Sequence, residues 1–165
     1  MLALDIDIEE PWPKSIDWAD LAEAAAEAAM AVAPELANPR LSASVLFTSD
    51  DELHVLNKEW RAKDKATNVL SFPMIARDAL IAMPHAGAPE MLGDLALSCE
   101  TCTREAAEKG VPLHHHAAHL VVHGLLHLAG HDHELGEAEA EVMEALETKA
   151  LAKMGIADPY AGEGG

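Results

Sequence analysis

The sequence predicts a single α+β domain, a small mixed β-sheet of about four strands packed with about five helices. Three observations carry that expectation. The 165-residue chain has the length of one domain with a sizeable core. Runs with strand periodicity are mixed among runs with helical periodicity rather than strictly alternating with them. No internal repeat or compositional break divides the chain. Residues 1–155 read as the domain, and 156–165, rich in glycine, as a flexible tail.

Leu2, Leu4, Ile6 and Ile8 alternate with Asp5 and Asp7, the period of a half-buried strand ended by Pro11 and Pro13. From 17 to about 33 the pattern is helical, with Leu21, Ala24, Ala25, Ala28 and Val32 on one stripe. Leu41, Ala43, Val45 and Phe47 give a second alternating strand. Ser49 and Glu52 form a capping box that starts a helix over about 50–60. A short β-type run, 68–72, is stopped by Pro73, and 75–90, with Pro84, Gly87 and Pro89, reads as a long surface loop. Another strand covers 91–98, and a helix 99–109 is closed by Gly110. Pro112 opens a helix that ends near Gly130. The last helix, about 136–154, presents Met143, Leu146, Ala150 and Met154 inward and its glutamates outward. Trp12, Trp18 and Trp60 are read as core.

The net charge of −18 argues against indiscriminate binding to nucleic acid or anionic membranes. Its distribution is uneven. Four of the eleven Lys and Arg residues (Lys58, Arg61, Lys63, Lys65) fall within eight positions, so a local basic loop sits on an acidic body. Two cysteines make no disulfide framework. The acidic N-terminal stretch is unlike a signal peptide, and the most apolar run, 117–130, is too short to span a bilayer. A cytoplasmic protein without membrane partners is the simplest expectation.

The chemistry concentrates in HGLLHLAGHDH, residues 123–133. Of ten histidines, eight lie between His114 and His133. His115/His119, His119/His123 and His123/His127 are each spaced by four, about 40° apart around a helix. Only His123 and His127 are followed within a turn by a glycine and further histidines. Two imidazoles on one helical face and a third from the turn can hold a zinc ion while leaving a position open for water, the arrangement of a catalytic site. His131 and His133 both qualify as the third ligand. Asp132 between them suits hydrogen bonding to a ligand's other ring nitrogen. His114, His115 and His116 read as exposed.

H-x3-H-x5-H with Gly124 and the flanking LAGHDH resembles the YbeY family of bacterial ribosomal-RNA maturation endoribonucleases. NKEWRAKDKATNVLSFP (57–73) matches that family's second signature, and LGDLALS (92–98) resembles a third. The resemblance implies a single zincin-like metallohydrolase domain, with a metal-bearing helix and the turn after it. It implies one Zn2+ per chain held by His123, His127 and His133, and Arg61 as the functional arginine. It further implies cleavage of single-stranded ribosomal RNA at the 3′ end of the small-subunit RNA and a part in ribosome quality control. Small-subunit proteins and assembly factors are the implied partners.

Those roles make chemical sense. The metal can lower the pKa of a bound water or polarise a phosphoryl oxygen, with either water or the RNA's own 2′-hydroxyl as the attacking group. Arg61 can donate a fork of hydrogen bonds to a phosphodiester, and Lys63 and Lys65 suit backbone contacts. The zinc-protease pattern HExxH would place its base at 124, where Gly124 has no side chain, so the base is unassigned; Asp132 is one candidate. Two alternatives stand beside this reading: a metallohydrolase of another substrate, and a zinc-stabilised ribosome-assembly module without activity. Cys99 and Cys102 could join His123 and His127 in a Cys2His2 site or form a redox pair, but read more simply as small packing residues.

Overall fold

The computed structural model describes residues 2–61, 63, 67–131 and 136–160. Four strands form one mixed sheet: β1 (Ala3–Ile8), β2 (Leu41–Thr48), β3 (Val69–Pro73) and β4 (Glu90–Ser98), in the order β1-β2-β4-β3. β1 and β4 flank β2 in parallel, while β3 runs antiparallel to β4 on the edge. The edge position tolerates Pro73, which has no N–H to donate.

Six α-helices accompany the sheet among the described residues: α1 (Trp18–Val32), α2 (Asp50–Arg61), α3 (Arg77–Ala82), α4 (Cys99–Lys109), α5 (Leu113–Leu128) and α6 (Glu137–Lys153). A 3-10 turn occupies Pro34–Ala37. α3 lies inside the segment expected to be a loop. One and a half turns are too short to show a helical period, but Leu80 is buried there and fixes the segment to the core. Ser49 Oγ accepts from the Glu52 amide at the start of α2, and Gly110 closes α4 in the left-handed conformation, both as expected.

One face of the sheet carries the main core. Leu41, Ala43, Val45 and Phe47 point into it, as their alternation requires. The buried stripe of α1 is centred on Ala22, Ala25, Ala26 and Ala29, a short rotation from the expected one. These small side chains let α1 pack against both α5 and α6. Trp12 and Trp18 stand edge-on, 4.7 Å apart, and Trp12 meets Phe47 at 5.1 Å. Each indole N–H finds a carbonyl, Thr48 O and Pro13 O, so burial leaves no orphaned donor. Trp60 departs from expectation: it is 71% exposed at the end of α2. On the opposite sheet face a smaller cluster joins Leu53 of α2 to Leu70 and Ala96.

α5 is the central helix. It contacts α1, α4, α6, β3 and β4, and most of its residues are buried. Residues 156–160 of the expected tail fold back along α6, with the Ile156 amide on Leu151 O; 161–165 lie outside the described residues. No helix of the described residues is long and apolar enough to cross a membrane.

Candidate active site

β3 and α5 together make the site. The register pairs Ser71 with Leu95 of β4, which sets both side chains on the face that meets α5. Opposite them is Gly124, where a Cβ would stand only 2.6 Å from Leu95 Cδ2. The missing side chain at 124 is therefore a packing requirement: it lets α5 approach the sheet. Ser71 Oγ then reaches Nδ1 of His127 at 2.7 Å.

One helical turn earlier, Nδ1 of His123 stands 3.3 Å from Glu147 Oε1 of α6. The same oxygen accepts from His119 Nε2 at 2.6 Å and from the Tyr160 hydroxyl at 2.8 Å. Glu147 is 1% exposed, although the glutamates of α6 were expected outward. Burial alone would raise its carboxyl; hydrogen bonds from His119 and His123 outweigh that and hold it at about 2. Ser71 and Tyr160 were also not anticipated, and His119, one of the histidines spaced by four, serves Glu147 here. Glu147 had a visible signal, since it falls on the stripe of Met143, Ala150 and Leu151, where a carboxylate is out of place unless partnered.

Arg61, at the exposed C-terminal end of α2, lines one cleft of about 430 Å³ with Thr67, Asn68, Val69, Ser71, His123, Gly124 and His127. Three of the sequence-derived candidates, Arg61, His123 and His127, thus come together from distant parts of the chain. Lys63 is exposed, its amide bonded to Asn57 O, and is not one of the described residues lining this cleft. Lys65, Asp132 and His133 lie outside the described residues.

The turn after α5 is held by α3. Arg77 donates to Ala129 O at 2.7 Å and pairs with Glu35 at 3.3 Å. Gly130 adopts φ +96°, and the His131 amide returns to Leu126 O. The ring of His131 stands 3.5 Å from the Arg77 guanidinium, not in the cleft.

The donor set fits a metal ion. A histidine that donates from Nδ1 carries its lone pair on Nε2, and contacts that fix this tautomer are what metal-ligating imidazoles need. At His123 that contact is the Glu147 carboxylate, which can only accept; at His127 it is the Ser71 hydroxyl, which can accept from Nδ1 in the same tautomer. Among the described residues no three His, Cys, Asp or Glu side chains are grouped so as to hold a metal ion by themselves. The Cys2His2 alternative is not assembled: Cys99 and Cys102 are buried, with their thiols against Pro11 O and Asn68 O. Burial raises both thiols above their ordinary value, so neither is primed as a thiolate. His116 corrects another expectation. It is buried, because Nε2 lies 2.9 Å from Glu105 Oε1.

Fold and cleft together define a small α+β domain whose central helix sets two oriented imidazoles beside an arginine, a centre suited to an anionic substrate. The model of the family "Endoribonuclease YbeY" matches residues 7–155. Proteins named Endoribonuclease YbeY from Novosphingobium aromaticivorans and Erythrobacter litoralis are 65% and 61% identical to it. The alignments cover 97% and 96% of this chain, and 96% and 98% of those proteins. The solution structure of TM1509 from Thermotoga maritima shares the fold, with a TM-score of 0.58 at 22% identity over 93% of this chain and 91% of that one. The chain belongs to the Endoribonuclease YbeY family. The expected enzyme class, a hydrolase of RNA phosphodiester bonds, is the class that family's name states.

Proposed function

We propose that this chain is a zinc-dependent endoribonuclease acting on single-stranded RNA, with the 3′ end of small-subunit ribosomal RNA as its substrate. In this reading it works in the cytoplasm, in rRNA maturation and ribosome quality control, beside small-subunit proteins and assembly factors. The observation that carries it is the meeting of Arg61 with His123 and His127 in one cleft. His123, His127 and His133 would hold one Zn2+. The position of His131 against Arg77 supports leaving the third place to His133.

When bound, the metal supplies Lewis-acid polarisation of a phosphoryl oxygen and a lowered pKa for water. The chain's own residues do the rest. Arg61 donates to the phosphodiester as negative charge develops on it. Ser71 and Glu147 hold the two histidine rings by their inner nitrogens. Lys63 and Lys65, which follow Arg61 in the sequence, contact the RNA backbone. With a net charge of −18, the body gives no general attraction to RNA, so binding relies on this short basic segment.

The test is metal analysis together with cleavage of a single-stranded RNA by wild type, His127→Ala and Arg61→Ala. The expected result is zinc in wild type and Arg61→Ala but not in His127→Ala, with cleavage lost in both variants. Metal-free cleavage, or full activity in either variant, would sink the proposal. Zinc-dependent folding with no cleavage by wild type would instead favour the assembly-module reading.

A further inference from the structure

We infer that Glu147 is a positioning residue for His123, and that Tyr160 holds Glu147 in place. The inference rests on the zinc reading above. Oε1 of Glu147 is a hub for three donors, two from successive turns of α5 and one from the segment beyond α6. His123 Nδ1 approaches at 3.3 Å, His119 Nε2 at 2.6 Å and the Tyr160 hydroxyl at 2.8 Å.

A carboxylate that is 1% exposed would be strongly unfavourable in an apolar stripe without such donors. Gln or Met would fill the same space between Met143 and Leu151 without that desolvation. The charge therefore needs a reason, and its geometry supplies one. An acceptor at Nδ1 of His123 fixes the ring plane and keeps the proton on Nδ1, so that Nε2 faces the cleft with its lone pair. It also makes the imidazole a better donor to a cation.

His119 and Tyr160 complete the arrangement. Their rings are edge-on at 5.5 Å, and Tyr160 Oη also lies 3.3 Å from His119 Nε2. Tyr160 comes from the segment beyond α6, where its amide bonds Asp158 Oδ1. Tyr160 thus acts on the site through one carboxylate and is not itself among the residues lining the cleft.

The experiment is zinc affinity by competition with a chromogenic chelator, for wild type, Glu147→Gln, Tyr160→Phe and His123→Ala, with thermal unfolding of each metal-free protein. Glu147→Gln is expected to weaken zinc binding by about 10- to 100-fold, the usual effect of losing a ligand's hydrogen-bonding partner. Tyr160→Phe should shift it in the same direction by less. RNA cleavage by both variants should recover in excess zinc, which a merely structural role would not produce. Wild-type affinity in both variants, with zinc lost only in His123→Ala, would overturn this inference and leave the zinc site standing. Equal binding by wild type and His123→Ala would overturn the zinc site itself. If Glu147→Gln does not fold, Tyr160→Phe decides: unchanged affinity there contradicts the inference.

Discussion

Ser71 Oγ on edge strand β3 stands 2.7 Å from Nδ1 of His127 on α5, joining two residues that are 56 positions apart. The contact exists because β3 pairs antiparallel with β4, and α5 lies against both. Ser71→Ala is expected to weaken zinc binding by about tenfold, by releasing the His127 ring. Stability should fall by only about 1 kcal/mol, the net worth of one hydrogen bond. Chelator competition and urea unfolding check the two halves; unchanged zinc affinity would show that the serine does not orient this histidine.

Gly124 is a steric device as well as a missing base. A Cβ there would stand 2.6 Å from Leu95 Cδ2 and 3.0 Å from Cδ1. Gly124→Ala should destabilise the domain by about 1–3 kcal/mol through overpacking. Gly124→Glu, which restores the protease-type spelling, should unfold more easily still and gain no peptidase activity. Denaturant midpoints and a peptide-cleavage assay test both statements.

The turn that delivers the chain towards His133 depends on Gly130 and Arg77. Gly130 has φ +96°, and a Cβ there would stand 2.5 Å from Arg77 Cβ. Gly130→Ala should cost about 1–3 kcal/mol in backbone strain alone, beyond the clash. Arg77→Ala removes the donor to Ala129 O and should cost about 1 kcal/mol. Both variants should also bind zinc more weakly. Wild-type zinc affinity in both would mean that this turn does not place a ligand.

Acid should weaken the fold in two stages. Burial lowers the pKa of His116, so the unfolded chain takes up a proton first as pH falls below about 6.5. Stability declines from there towards the lower native value. Burial would raise the carboxyls of Asp50 and Glu105, but hydrogen bonds outweigh it and lower both. Ser98 and Thr101 donate to Asp50, and His116 and Asn68 to Glu105. A neutral His116 that donates Nε2–H to ionised Glu105 accounts for the shifts of both partners. Stabilisation from these carboxylates is complete above their ordinary values of 3.8 and 4.5 and is lost as pH falls through the native ones. Urea unfolding across pH should show both declines. Asp50→Asn should flatten the lower one, and a midpoint independent of pH between about 7 and 4 would contradict the assignment.

The elements most legible in the sequence were those with long, regular patterns. β2 shows strict alternation, and α4 ends at a glycine with the expected left-handed backbone. α3 was not legible, because six residues contain too little of a period, and its retention depends on Leu80 and Arg77 meeting partners far along the chain. Trp60 was misplaced because hydrophobicity says that a residue favours burial, not that the fold has room for it. The site divided along the same line. His123, His127 and Arg61 sit in dense local motifs, whereas Ser71 and Glu147 act through contacts that only the sheet register and the packing of α6 create.

The most direct test is to strip the protein of metal, confirm that it remains folded, and measure cleavage of a single-stranded RNA before and after one equivalent of zinc is restored. The account predicts no cleavage in the stripped protein and full recovery with zinc in wild type. Arg61→Ala should bind zinc as wild type does and cleave at least about 100-fold more slowly. Cleavage by the stripped protein, or undiminished cleavage by zinc-loaded Arg61→Ala, would contradict it.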